Sequence, residues 1–194
     1  MTEMTSESFN GTEYHVIGQY MSPVSDAYQK KGLATSEHRV AMCELAVNST
    51  AIMVDPWEAN QTKYTPTKLV LDHFESELVK VLGKRPHIYL ICGSDLLNSF
   101  NTPGLWAEDD MNDILENYGI VCLQRNGADN KKIVETNAIM KSHSHNIRLV
   151  DQWTLDPTSS TELRNALMQG KSIRFLTPDP VLEYIKQHKL WITP

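Results

Sequence analysis

An α/β fold with a mostly parallel sheet is what this sequence predicts, on two observations. Short apolar runs alternate with amphipathic stretches, as strands joined by crossover helices do. One run, His87-Ile88-Tyr89-Leu90-Ile91-Cys92, is continuous and closed by Gly93, as in a strand buried on both faces of a parallel sheet. The 194 residues, 41% of them hydrophobic, suffice for one globular domain with a sizeable core and would be cramped as two.

The elements follow in chain order. Residues 14–20 read as a strand, and Pro23 ends its pairing. Thr35 and Ser36 can cap a helix that carries Val40, Cys43 and Val47 at helical spacing. Residues 52–54 are a short strand. Pro66 opens a helix whose inner face would use Val70, Phe74, Leu78 and Val81. After the run at 87–92, residues 111–118 read as a helix and 119–124 as another buried strand, ending at Arg125-Asn126-Gly127. Residues 128–146 are polar and read as a mobile connection exposing Lys131, Lys132, His143 and His145. Residues 147–150 form the last clear strand. A helix over 160–168 ends near Gly170, and 178–189 form the final one.

Charge and cysteine usage bound the function. The net charge of −6 argues against a broad basic face for nucleic acid, so an anionic ligand would need a local cationic pocket. Cys43, Cys92 and Cys122 are odd in number, have no C-x-x-C spacing and read as reduced core residues of an intracellular protein. The first twenty residues are polar, which argues against a secretory signal, and no stretch approaches the roughly 20 apolar residues of a membrane span. The histidines have no zinc-site spacing, and neither a G-x-x-x-x-G-K-[ST] loop nor a G-x-S-x-G elbow occurs.

The chemistry is concentrated in Asp156-Pro157-Thr158-Ser159-Ser160-Thr161-Glu162-Leu163-Arg164. The first N–H groups of a helix lack partners within it and its dipole is positive there, so an anion is a natural guest. Ser159, Ser160 and Thr161 can cap those groups or donate to phosphate oxygens, and Arg164, one turn on, can reach back with its bidentate fork. On this segment alone, an ordinary Ser/Thr cap with a solvated arginine is the preferred reading. Gly93-Ser94-Asp95 falls where open α/β sheets bind ligands, beyond a strand's carboxyl end, and Asp95 is either a fixed acceptor or a turn residue capping Leu96 onward. Thr102-Pro103-Gly104-Leu105-Trp106 puts a tryptophan on a rigid loop, either to stack on a flat ligand or to cover the core's edge. Pro56-Trp57-Glu58 reads as packing. Lys30 and Lys31 could neutralise a phosphate or be merely solvated, and Arg125 follows a strand end.

In order and spacing, SPVSDAYQKKGL, HRVAMCELA, VDPWEANQ, ICGSDLLNSFNTPGLW, YGIVCLQRNG and TSSTELRNAL resemble segments of the eukaryotic nicotinamide mononucleotide adenylyltransferases. The resemblance covers about residues 14–191 and sets 1–13 apart as an unmatched segment before a nucleotidyltransferase domain over 14–194. It implies a Rossmann-like nucleotidyltransferase fold. It also implies a reaction in which ATP, with Mg²⁺, and nicotinamide or nicotinate mononucleotide give NAD or its deamido form plus pyrophosphate. Arg164 and Thr161 would be catalytic. Trp106 would stack on the nicotinamide, with Leu105, Tyr64 and Thr67 around the mononucleotide and Lys30 near phosphate. Gly93, Asp95 and Arg125 would meet the adenosine region, while Ser160, Thr161 and Arg164 match a triphosphate-binding motif preceded here by Asp156, where many relatives carry Asn.

The family opens with a strand, a G-x-F-x-P turn and a histidine-bearing loop, for which no counterpart is found ahead of Tyr14. That strand would sit in the middle of a sheet ordered 3-2-1-4-5-6, so weak or absent turnover is expected. The alternatives are a noncatalytic or chaperone-like member that pairs with a complete copy, and a general phosphate-binding regulator. The resemblance also implies an intracellular protein of nucleus or cytoplasm without nucleic-acid or membrane partners, whether single chain or homo-oligomer.

Overall fold

The computed structural model describes Phe9 and residues 14–124, 128–151 and 158–192. In chain order these form β1 (Gln19–Met21), α1 (Ser36–Val47), β2 (Ile52–Val54), α2 (Thr67–Leu82), β3 (Tyr89–Gly93), α3 (Ser94–Ser99), α4 (Glu108–Asn117), β4 (Gly119–Leu123), α5 (Asn130–Thr136), α6 (Ala138–Ser142), β5 (Ile147–Val150), α7 (Ser160–Met168) and α8 (Asp179–Gln187). Every strand pairing among them is parallel. The α/β class therefore holds.

The chain divides into two compact units, each assembled from separate stretches: Met1–Val16 with Pro66–Pro157, and Ile17–Thr65 with Thr158–Pro194. The first unit contains a three-stranded sheet of order β3-β4-β5, and the second a two-stranded sheet of β1 and β2. No described strand joins the two sheets.

In the first unit, β4 is the central strand and all five of its residues are buried. The equally apolar β3 lies at the sheet's edge, and only Cys92 in it is buried. Apolar composition alone does not distinguish the two positions, and the expectation that the run at 87–92 is covered on both faces is corrected accordingly. Gly119 opens β4 directly beneath Tyr89. A Cβ there would lie 2.5 Å from the tyrosine ring and 3.0 Å from the Asn146 carbonyl oxygen, so only glycine lets that ring lie on the strand. Ile114, Leu115 and Met140 complete the core around β4. Tyr118 belongs to this core, and its Oη donates to Asp72 at 2.7 Å while Lys68 Nζ donates to the same carboxylate at 2.7 Å, which ties the end of α4 to α2.

Four local expectations are corrected. The strand expected over 14–20 is confined to Gln19–Met21. Val81 is 81% exposed although it sits on nearly the same face of α2 as Val70, because residues 79–85 overhang the packed body. Residues 128–146 are largely helical, because Asp129 accepts from the Lys132 N–H and Asn137 from those of Ile139 and Met140, so that two short polar segments are each capped into a helix. His143 is accordingly only half-exposed, its ring within 3.0 Å of the Ile139 carbonyl oxygen. Thr35 stands at the N-cap of α1 without a side-chain cap bond. Asp26 replaces it, accepting from Ser36 N–H at 2.7 Å and from Arg39 at 3.1 Å.

The second unit packs α7 and α8 with α1 through Leu167, Ile173, Val181, Leu182 and Ile185, backed by Met42 and Leu45. Its segment of residues 22–35 is held by polar groups. Arg39 donates to the carbonyls of Val24 and Ala34, and Ser22 Oγ donates to Glu58 Oε2 at 2.7 Å. Glu58, in a segment expected to pack through its tryptophan, is the more buried residue at 9% exposure, against half-buried Trp57.

Burial pushes the Glu58 carboxyl above its ordinary 4.5, only partly opposed by the Ser22 hydrogen bond and by Arg39. A raised pKa means that folding favours the protonated form. The resulting stability is complete below the unfolded carboxylate value and is lost as pH rises through the folded one. Glu58→Gln, which keeps the acceptor for Ser22, should therefore show a thermal midpoint that gains on the parent between pH 4.5 and neutrality and converges with it in acid. Parallel midpoint-versus-pH curves for the two proteins would contradict this.

Candidate active site

The predicted site residues fall in both units, and each group is described within its own. In the second unit, α7 begins with a complete capping box. Ser159 Oγ accepts from Glu162 N–H at 3.2 Å, and Glu162 Oε2 accepts from Ser159 N–H at 2.9 Å. Ser159 is thus committed to the helix, and the hydroxyls at its mouth belong to the exposed Ser160 and Thr161. Arg164, one turn on, bends back so that Nη2 donates to Thr161 Oγ1 at 3.1 Å. That is the reach expected of residues three apart on a helix. The guanidinium carbon stands 6.0 Å from the Trp191 ring.

Opposite Arg164, the chain makes a tight turn in which Leu33 N–H donates to the Lys30 carbonyl at 3.2 Å. Gly32 has φ +83°, as the third position of a type II turn requires. A Cβ on Gly32 would lie 3.9 Å from Arg164 Nε, and the Gly32 carbonyl accepts from Trp191 Nε1 at 2.9 Å. The turn that begins at Lys30 thereby lies beside the start of α7, where Thr161 and Arg164 offer a hydroxyl and a cation suited to an anion. Trp191 was missed as a support of this turn. Its role depends on a contact 159 residues away in sequence. Tyr64 is 53% exposed and stacks on Tyr28 with centroids 5.9 Å apart and planes at 25°. Burial, with Tyr28 and Glu58 beside it, raises its pKa, so the phenol stays neutral and can donate.

In the first unit, Gly93 ends β3 and is also the N-cap of α3. Its φ of −96° and ψ of 171° are open to any residue, so no special backbone conformation demands glycine there. Asp95 is exposed in the first turn of α3. Thr102-Pro103-Gly104-Leu105 closes a turn through Leu105 N–H to the Thr102 carbonyl at 3.2 Å, with Gly104 at φ +75°. Pro at the second position and Gly at the third suit a type II turn. Leu105 is left 61% exposed, while Trp106 folds back against α3. Its indole Nε1 donates to Ser99 Oγ at 3.0 Å, and its ring lies on Phe100 at 4.4 Å with planes 19° apart. Ser99 is four residues beyond Asp95, so both lie on one face of α3. Neither Ser99 nor Phe100 was anticipated. Thr67, half-buried, is the first residue of α2. Arg125 and Asp156 lie outside the described residues.

Among the described residues, no group of three or more His, Cys, Asp or Glu side chains is arranged to hold a metal ion, and no helix is long and apolar enough to cross a membrane.

The cytidylyltransferase-like family model matches residues 2–166. A nicotinamide/nicotinic acid mononucleotide adenylyltransferase of Arabidopsis thaliana is 40% identical over 195 residues, covering 98% of this chain and 82% of that protein. The Bos taurus protein named nicotinamide/nicotinic acid mononucleotide adenylyltransferase 1 is 37% identical over 228 residues, covering 97% and 81%. One from Saccharomyces cerevisiae, numbered 2, is 40% identical over 204 residues, covering 99% of this chain and 52% of the longer yeast protein. With the family model spanning most of the chain and such identities sustained along nearly its whole length, the chain belongs to the nicotinamide/nicotinic acid mononucleotide adenylyltransferases, within the cytidylyltransferase-like family.

Proposed function

We propose that this chain transfers the adenylyl group of ATP, delivered with Mg²⁺, to nicotinamide or nicotinate mononucleotide, forming NAD or its deamido form and pyrophosphate. A phosphate oxygen of the mononucleotide attacks the α-phosphorus. The bond from that phosphorus to the bridging oxygen breaks, and its electron pair leaves with pyrophosphate. No protein nucleophile takes part, so rate depends on positioning and on neutralising the departing charge.

One observation carries this reading: Arg164 bends back onto Thr161 at the start of α7, beside the turn that begins at Lys30. Arg164 and Thr161 would meet the triphosphate at the reacting end, with Ser160 and Asp156 alongside and Lys30 near phosphate. Gly93, Asp95 and Arg125 would hold the adenosine portion of ATP. Trp106, Leu105, Tyr64 and Thr67 would receive the mononucleotide. Mg²⁺, arriving with the ATP substrate, would supply shielding of the charge on the departing pyrophosphate. The net charge of −6 supports small anionic ligands held locally over nucleic acid, and residence in nucleus or cytoplasm fits three free cysteines.

A second reading is a noncatalytic member of the family that pairs with a catalytically active relative. Incubating the purified chain with ATP, Mg²⁺ and nicotinamide mononucleotide separates the two. NAD and pyrophosphate should accumulate in equal amounts. Failure to form either product, together with a change in NAD output when a catalytically active relative is added, would favour the second reading.

A further inference from the structure

We propose that Ser99 is a positioning residue for the mononucleotide, fixing the rotation of the Trp106 ring while Phe100 backs one of its faces. This rests on the reading of Trp106 as the stacking partner of the pyridine ring. The Ser99 hydroxyl is committed at both ends. Its proton goes to the Leu96 carbonyl at 2.6 Å, which leaves an oxygen lone pair to receive the Trp106 indole N–H at 3.0 Å. One rotor orientation satisfies both bonds.

Phe100 is 3% exposed and sets the ring's tilt through the 4.4 Å stack, so plane and rotation are determined by different neighbours. The base beneath is itself fastened. Asn137 Nδ2 donates to the Phe100 carbonyl at 3.1 Å, and Asn101 Nδ2 donates to the Ile133 carbonyl at 3.2 Å, joining the end of α3 to α5 and α6. Trp106 remains half-buried, so part of the ring is open to a ligand. A flat base would find that surface already oriented, and the entropy of ordering the indole would not be charged against binding.

Calorimetric titration of the whole chain with nicotinamide mononucleotide, and separately with ATP, tests this. Ser99→Ala should weaken mononucleotide binding about fivefold, the worth of one ordinary hydrogen bond, and leave ATP affinity unchanged. Ser99→Thr should restore it. In a Trp106→Phe background, where no indole N–H remains, Ser99→Ala should have no further effect. Ser99→Cys, similar in size and a poor acceptor, gives the same ordering if the alanine variant does not fold. Unchanged mononucleotide affinity, equal losses for both ligands, or the same loss in the Trp106→Phe background would overturn the proposal. A parent chain that binds ATP and not the mononucleotide would instead overturn the stacking role of Trp106 itself, and this inference with it.

Discussion

Arg164→Ala is expected to lower the turnover number for NAD formation about a hundredfold to a thousandfold, the cost of removing one preorganised donor from developing charge. Arg164 is half-buried, and among the described residues its side chain bonds to exposed Thr161, so the thermal midpoint should scarcely move. Arg164→Lys should recover only part of the rate. An ammonium restores the charge without the planar fork that can grip two phosphate oxygens together. The capping box of Ser159 and Glu162 is independent of Arg164, so α7 keeps its start in either variant. Steady-state kinetics at saturating substrate, beside thermal unfolding of the same preparations, gives the answer. Equal turnover in parent and alanine variant would remove Arg164 from the reaction.

Trp106→Ala should weaken nicotinamide mononucleotide binding about 5- to 150-fold, the range equivalent to about 1–3 kcal/mol for stacking one base on an aromatic ring. ATP affinity should hold. Because the indole also lies on Phe100 and bonds to Ser99, the alanine variant loses stability as well. Trp106→Phe separates the two effects, since a phenyl ring can keep the contact with Phe100 while the indole N–H is gone. It should bind more tightly than the alanine variant and less tightly than the parent. If Trp106→Ala binds the mononucleotide as the parent does, the ring serves only to cover the core.

Strong, local signals were the ones legible in the sequence. The strand at 52–54, the helix over 160–168 and the arginine returning to Thr161 all follow from spacing within a few residues. The elements misread are those decided by distant partners or by composition that conceals a cap. α3 begins at the very residue that follows β3 and has only six residues, too few to display an amphipathic repeat. α5 and α6 were hidden by polarity, although Asp129 and Asn137 are ordinary cap residues and Val134 and Met140 reach the core. Glu58 and Ser22 stand 36 residues apart, and Tyr28 and Tyr64 are equally remote, so pattern alone could not pair them. At the site, the motifs named which side chains to examine. The supports, Ser99 under Trp106 and Trp191 against the Lys30 turn, became visible only once the chain was folded.

In the proposed reaction the α-phosphate of ATP passes directly to the mononucleotide, held by residues that position and neutralise and never bond to it covalently. A single-turnover reaction with ATP labelled at the α-phosphate measures this. The label is expected in NAD, with unlabelled pyrophosphate released in equal amount and no label on the protein when it is quenched. Label bound to the protein, or recovered only as AMP, would contradict it.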